Sequence, residues 1–229
     1  HFGSSDAFSP CKSRVMSNVV PRLKHLAVIF VDGKAREIPG SFEHAKLESL
    51  HIEAAEHYYS EVDVGKCLPK RLRKLTLKNC FLVEVPHLIT TDELHGRYPP
   101  PLEELSLRLS SSPLGLFGQD IVPFVATFEG TLRRLTLALP HYRDMELQLT
   151  APHLEYANFS GSLDLSVLVL RAPRLHSLLL DQCFSLRVLE VESACLQSLD
   201  LQYCVNIKAT DLSKCPASID VIGRQGEEH

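Results

Sequence analysis

The sequence predicts an α/β solenoid, in which short repeats stack around one continuous core. A curved parallel sheet lines the concave side, and irregular, short-helix or short-strand segments form the convex side. The main observation is a recurring pattern of leucine, two variable residues, leucine, one variable residue and an apolar residue. Alternate side chains of an extended segment point to opposite faces, so the apolar residues should point inward and the residue between them outward. One such unit cannot bury its own leucines, so stacking is required.

The copies of the pattern share their first residue type and begin at Leu23, Leu47, Leu72, Leu102, Leu132, Leu154, Leu175 and Leu196. The interval between consecutive copies varies in the first two thirds of the chain and becomes constant from Leu154 onward. Recurrence of one short pattern at nearly regular intervals is typical of stacked repeats.

The last third of the chain contains a second strand-like segment in each repeat. The stretches 146–154, 167–175 and 188–196 superpose when each is shifted by one repeat. Their apolar residues at 147–149, 168–170 and 189–191 should lie on the opposite side of the coil from the main strands.

The longer middle repeats leave room for other elements. Residues 119–129 place Ile121, Val122, Val125 and Phe128 at near-helical spacing, which predicts a short convex helix with Pro123 in its first turn. The less regular stretches 53–69 and 84–101 predict protruding loops. We expect an N-terminal cap or extension over 1–19, about eight repeats over 20–204, and a C-terminal cap and polar tail over 205–229.

Composition narrows the class of protein. The formal net charge is -4, with 24 basic and 28 acidic residues, which argues against nucleic-acid binding, and no apolar run is long enough for a membrane-spanning helix. The seven cysteines form an odd set without a CxxC pair, which argues against a secreted disulfide framework and against structural zinc. We therefore expect an intracellular protein, cytoplasmic or nuclear.

The repeats resemble the leucine-rich-repeat family, whose consensus is LxxLxLxx(N/C)xL. The resemblance covers roughly residues 20 to 215. It places Cys80, Cys183 and Cys204 at the N/C position, where the family's side chain bonds the backbone of the turn leaving the strand. The resemblance thus implies structural cysteines.

The C-terminal repeats also resemble the cysteine-containing repeats of F-box proteins. The stretch 199–207 fits LxLxxCxxI, and Cys215-Pro216 resembles the start of a further unit. The F-box itself is not in this sequence, so a role as a ubiquitin-ligase adaptor would require an F-box outside this chain.

No catalytic or metal-binding motif emerges. The chain has no Gly-rich phosphate loop, GxSxG or HExxH motif, and its eleven histidines are scattered. Glu61 and Asp63 would share one face of a strand, where solvated charge is the favoured interpretation. We expect no enzymatic activity, no cofactor, no bound metal and no small-molecule substrate.

Function should then lie in the outward side chains of the main strands. Basic residues dominate the middle and acidic residues the C-terminal end, with Tyr156 and Leu179 as apolar contacts. The predicted partner-binding residues are Lys74, Lys78, Glu104, Arg108, Arg134, Tyr156, Leu179, Asp181, Asp200 and Gln202.

These features predict a non-catalytic protein–protein interaction module or scaffold subunit that binds a protein partner, alone or within a larger complex, through its concave face and loops. The alternative is the substrate-recognition part of an F-box-type adaptor. An RNA- or nucleotide-linked regulator fits less well, because aromatic and basic residues do not interleave. An extracellular receptor domain is disfavoured by the cysteine count.

Overall fold

The computed structural model describes residues 2–3, 23–30, 36–37, 46–54, 60–63, 68–82, 99–109, 118–140 and 145–223. The chain divides into two compact units, His1–Ser110 and Ser111–His229. In each unit, parallel strands stack as the coils of a β-solenoid. The predicted α/β class is not confirmed, because the described residues hold one short helix beside many strands.

The first unit contains a main sheet and a smaller sheet. Its strands are β1 (Phe2–Gly3), β2 (His25–Phe30), β3 (Arg36–Glu37), β4 (Ser49–Ala54), β5 (Ser60–Asp63), β6 (Lys74–Lys78), β7 (Cys80–Leu82) and β8 (Glu104–Arg108). The main sheet has the parallel order β1-β2-β4-β6-β8. The smaller, three-stranded sheet has the parallel order β3-β5-β7.

The second unit begins with the helix and continues as two sheets. Its elements are α1 (Gly118–Ala126), β9 (Arg134–Ala138), β10 (Met145–Thr150), β11 (Tyr156–Asn158), β12 (Leu165–Arg171), β13 (Ser177–Leu179), β14 (Val188–Glu192), β15 (Ser198–Asp200), β16 (Ala209–Lys214) and β17 (Asp220–Ile222). The main sheet has the parallel order β9-β11-β13-β15-β17. The second, four-stranded sheet has the parallel order β10-β12-β14-β16.

The strand register stacks the pattern leucines in columns. In the first unit Leu50 pairs in register with Leu26 on one side and with Leu75 on the other. In the second unit Leu178 pairs with Leu199. All of these side chains are buried, whereas the residues between the paired apolar positions are half-buried, as predicted. Because burying one leucine contributes about 1.5–3 kcal/mol, these columns hold the coils together.

The second strand of the regular repeats is confirmed. Leu168 of β12 pairs in register with Leu147 of β10 and with Leu189 of β14, and all three side chains are buried. Both sheets then continue beyond residue 204, because β16 pairs with β14 and β17 pairs with β15.

The predicted helix is present as α1. It buries Ile121, Phe124 and Val125 and packs against β10, and Phe124 meets Phe128 edge to face with ring centroids 5.2 Å apart. The predicted position of Pro123 differs from the observed one. The helix begins at Gly118, so this residue lies in the second turn, exposed on the helix surface.

Some predicted features fall outside the described residues. These are residues 4–19 of the predicted cap, residues 55–59, 64–67 and 84–98 of the predicted loops, and the tail 224–229. Glu61 and Asp63 do lie in a strand, β5, which pairs with β3 and β7.

Candidate protein-binding surface

Four of the described turns that leave main strands are built around a small polar side chain. The residue before the cysteine adopts a left-handed backbone, with φ of 61° at Gln182 and 59° at Tyr203. The next side chain then points inward and bonds the preceding coil, since Cys183 Sγ donates to the carbonyl of Phe159 at 3.2 Å and Cys204 Sγ to that of Leu180 at 3.0 Å. This is the turn contact that the family resemblance implied.

The first unit repeats this arrangement at Cys80. Asn79 has a φ of 54°, and Cys80 Sγ donates to the carbonyls of Lys78 at 3.1 Å and Ile52 at 3.8 Å. Burial raises the pKa of the Cys80 thiol to about 12. For Cys183, the adjacent Cys204 thiol and burial together hold the pKa far above its ordinary value. Buried neutral thiols of this kind fit a structural role.

Sequence reasoning missed a fourth member of this set. Gly161 has a φ of 79°, and the next residue, Ser162, is fully buried. Its Oγ donates to the carbonyl of Leu137 at 2.9 Å and accepts from the amide of Leu139 at 3.3 Å. The position of Ser162 one repeat before Cys183 was the available signal, but the Asn/Cys consensus does not include serine. Because these hydrogen bonds fix the turns, they also hold the outward side chains of the adjoining main strands in place.

The predicted basic residues of the first unit pair with acids on neighbouring strands. Lys74 Nζ lies 2.6 Å from Glu104 Oε2, and Lys78 Nζ lies 2.7 Å from Glu53 Oε1. The hydrogen bond from Lys78, with a second one from His51 at 3.2 Å, lowers the pKa of the Glu53 carboxyl despite its partial burial. The two lysines are therefore parts of ion pairs.

Arg108 lies next to Lys78 in the strand register and is exposed. Within the residues described, it takes part in no ion pair. Of the cations predicted to bind a partner in the first unit, Arg108 is therefore the one whose charge remains available.

A second row of ion pairs lies one residue before the strands and was not predicted. Lys24 Nζ is 3.1 Å from Glu48 Oε1, and Arg73 bonds Glu103 at 2.7 Å. Signs thus alternate from strand to strand, which neutralises this edge of the sheet. Among the described residues of the second unit there is one such pair, between Arg133 and Glu155 at 2.8 Å.

An aromatic–cation pair marks the start of the second unit's main sheet. Arg134 and Tyr156 are register neighbours, and the guanidinium carbon lies 5.0 Å from the ring centroid. The Tyr156 hydroxyl accepts from Asn158 Nδ2 at 3.3 Å, which restrains the ring. Both residues were predicted to bind a partner, and the structure brings them together as one surface.

The C-terminal strands of the same sheet carry unpaired carboxylates. Asp200 lies between Leu179 and Ile222 in the register. Its Oδ1 accepts from the amide of Gln202 at 3.0 Å. Asp181 precedes the turn, where its Oδ2 accepts from Gln182 Nε2 at 3.1 Å while its buried Oδ1 has no hydrogen-bond partner. None of the ion pairs formed among the described residues involves these two aspartates.

Exposed apolar side chains beside these aspartates were missed by the sequence reasoning. Phe184 is 41% exposed, Tyr203 56%, Val205 64% and Ile222 43%. The sequence prediction used positions within the repeat pattern and directly beside it, such as Asp181 and Gln202, whereas three of these residues lie further into the turns that follow the strands. The variable positions that flank the turn cysteines were the signal that could have found them.

Comparison with protein-family models, curated proteins and solved structures finds no match for this chain. The function of this chain is therefore inferred from the geometry of its described residues. In the described part of the chain, no three histidine, cysteine or acidic side chains are grouped so that they could hold a metal ion. No helix among those residues is long and apolar enough to cross a membrane.

Proposed function

We propose that this chain is a solenoid of the leucine-rich-repeat type that serves as a non-catalytic protein–protein interaction module or scaffold subunit. The contrast between its inner and outer positions carries the proposal. Along the first unit, the inner register row is Leu26, Leu50, Leu75 and Leu105, while the adjacent outer row is Ala27, His51, Thr76 and Ser106. The fold constrains the inner row to one residue type and leaves the outer row free for recognition.

The repeat type is supported by the turns. A cysteine or serine follows a left-handed residue and bonds a carbonyl of the preceding coil, as at Cys183 and Ser162. A side chain in this role is what the leucine-rich-repeat consensus implies at its N/C position. Opposite the main strands, the described segments are mostly strands of the smaller sheets, so the proposed type is strand-rich on both sides of its coils.

The surface of Arg134 and Tyr156 is the first candidate for contact with a partner. Arginine and tyrosine are the residue types that most often anchor protein interfaces. The two side chains are held against each other before any partner binds, which reduces the entropy that binding must remove. The proposed setting is the cytoplasm or nucleus, a reducing compartment consistent with the free thiols of Cys183 and Cys204 on adjacent coils.

Affinity purification with mass spectrometry tests this proposal. The tagged chain is compared with a variant carrying Arg134→Glu and Tyr156→Ala, which reverses the charge and removes the ring. Arg174→Glu is the matched control, because this exposed arginine lies in the turn between β12 and β13. We expect the double variant to lose partners that the control retains, by at least about tenfold in recovered amount. Identical recovery from all three chains would contradict the assignment of this surface.

The adaptor role is a second proposal. Three side chains in the stretch that resembles F-box repeats form hydrogen bonds between coils. Cys204 Sγ, Asn206 Nδ2 and Cys215 Sγ each donate to a carbonyl of the preceding coil. Recovery of a cullin-linked complex with an F-box-bearing form of the protein would support this role. Recovery of protein partners without any cullin-linked subunit would leave the scaffold role alone.

A further inference from the structure

The large hydrophobic side chains that are exposed among the described residues are concentrated in one part of the second unit. Phe184, Tyr203, Val205 and Ile222, here called the C-terminal patch, all belong to the last coils of the second unit. Tyr203 and Val205 flank Cys204 in one turn, and Asn206 beside them donates from Nδ2 to the carbonyl of Phe184 at 2.7 Å. A concentrated apolar surface rimmed by polar groups is typical of an interaction site.

The patch has a concave part. A cleft of about 310 Å³ is lined by Leu201, Tyr203, Val205, Ile207, Thr210 and Gly223. This volume lies at the lower end of the range of binding pockets, about 300–1,000 Å³, so the cleft can receive an apolar anchor residue of a partner.

The patch also borders an unpaired edge of the main sheet. Strand β17 ends the sheet, and within the part of the chain that is described its outer edge pairs with no other strand. Such an edge offers backbone donors and acceptors to an extended segment of another chain.

The charge next to the patch is acidic. Asp200 lies beside Ile222 in the register, Asp181 precedes the adjacent turn, and Asp220 begins β17. None of these carboxylates belongs to an ion pair among the described residues. Among the described residues, the cations nearest along the chain are Arg187 and Lys208, each three residues from an apolar member of the patch. Arg224 follows Ile222 by two residues in the sequence and lies outside the described residues. Unpaired negative charge beside exposed apolar surface favours a positively charged partner.

We propose that the C-terminal patch docks an extended segment of a partner protein that carries basic residues alternating with apolar ones. The apolar side chains enter the cleft, the basic side chains meet Asp200 and Asp220, and the backbone runs along β17. This inference rests on the proposed interaction function and gives that function a site and a partner chemistry.

The test uses the full chain and three fluorescent octapeptides, alternating arginine with leucine, glutamate with leucine, and arginine with serine. Binding is measured by fluorescence anisotropy. We expect the arginine–leucine peptide to bind at least about tenfold more tightly than either of the others, because only it offers both charge and apolar contact.

Variants then locate the site. Tyr203→Ser with Val205→Ser removes exposed apolar surface, and Asp200→Asn removes charge while keeping the oxygen that accepts from Gln202. Each should weaken the arginine–leucine peptide by at least about fivefold with an unchanged circular dichroism spectrum. Glu190→Gln, an equal loss of charge on an exposed residue of the second sheet, should leave the affinity unchanged. Equal affinities for the three peptides, or unaltered affinity in the patch variants, would overturn the proposal.

Two further outcomes separate this inference from its alternatives. If the chain self-associates in sedimentation equilibrium and the Tyr203/Val205 variant abolishes that association, the occupant is a second copy and the proposal is wrong. If cellular partners survive the Tyr203/Val205 change but are lost with the Arg134/Tyr156 change, the interaction function stands and this patch has no part in it.

Discussion

The two units place charge on their main sheets in different ways. In the first unit, lysines face acids on neighbouring strands, as Lys74 does with Glu104 and Lys78 with Glu53. In the last coils of the second unit, Asp181 and Asp200 have no such partner among the described residues, and apolar side chains stand exposed beside them. The first surface is largely neutralised by its own ion pairs, whereas the described residues of the second leave these two carboxylates without an oppositely charged partner.

This difference shows that the fold places little constraint on the charges carried by the outward side chains of the main sheets. Each unit buries its own columns of leucine, and each side chain contributes about 1.5–3 kcal/mol. Partly exposed ion pairs contribute only about 0–1 kcal/mol each. Because stability comes mainly from the interior, either charge arrangement is compatible with stacked coils, and the difference between them is available for function.

The largest expected effect comes from the shared interior. Leu178→Ala should lower the free energy of unfolding by about 2–5 kcal/mol, because the fully buried side chain leaves a cavity between coils. Its neighbour Leu179, half-buried on the outer face, is the matched control, and its change to alanine should cost about 1 kcal/mol or less. Urea denaturation measures both. A larger loss at 179 than at 178 would reverse the assignment of inner and outer faces.

A smaller effect is expected at the turn that departs from the cysteine pattern. Ser162→Ala should lower the free energy of unfolding by about 1–3 kcal/mol, because the carbonyl of Leu137 and the amide of Leu139 lose their buried partner. Ser162→Cys should recover most of the loss, because Cys183 makes the equivalent bond one coil later. Equal stability of the alanine and cysteine variants in thermal and urea denaturation would show that the hydrogen bonds do not stabilise this turn.

The interior was predictable from the sequence and the surface only in part. Leucine spacing reports directly which side chains point inward, so the register of Leu178 with Leu199 and the second strand at Leu168 followed from the pattern. The α/β class was predicted and is not confirmed, because most of the described segments between the main strands are short strands. Their alternation is weak in the sequence outside the last third of the chain.

Surface pairing depends on which side chains meet across the strands of successive repeats. Lys78 was predicted as a binding cation, yet it reaches Glu53 on the previous strand. The repeat spacing makes such a pair geometrically possible, but it does not reveal which rotamers long side chains adopt. The exposure of Tyr203 was missed for a different reason, because a left-handed turn residue follows no strand alternation.

The smallest expected effect tests whether Lys78 and Glu53 of the first unit form an ion pair in solution. The folded-state pKa of Glu53 lies below the usual value of 4.5, mainly because of the hydrogen bond from Lys78. The ionised carboxyl therefore stabilises the fold above pH 4.5, and that stabilisation is lost as pH falls through the lowered pKa. Glu53→Gln should remove this part of the pH dependence of the free energy of unfolding, which amounts to about 1 kcal/mol or less. Lys78→Met should reduce the slope of the free energy of unfolding against pH over the same range, because the Glu53 carboxyl then lacks its main partner. Denaturation between pH 3 and pH 6 measures the slope, and a slope unchanged in both variants would mean that the pair does not persist in solution.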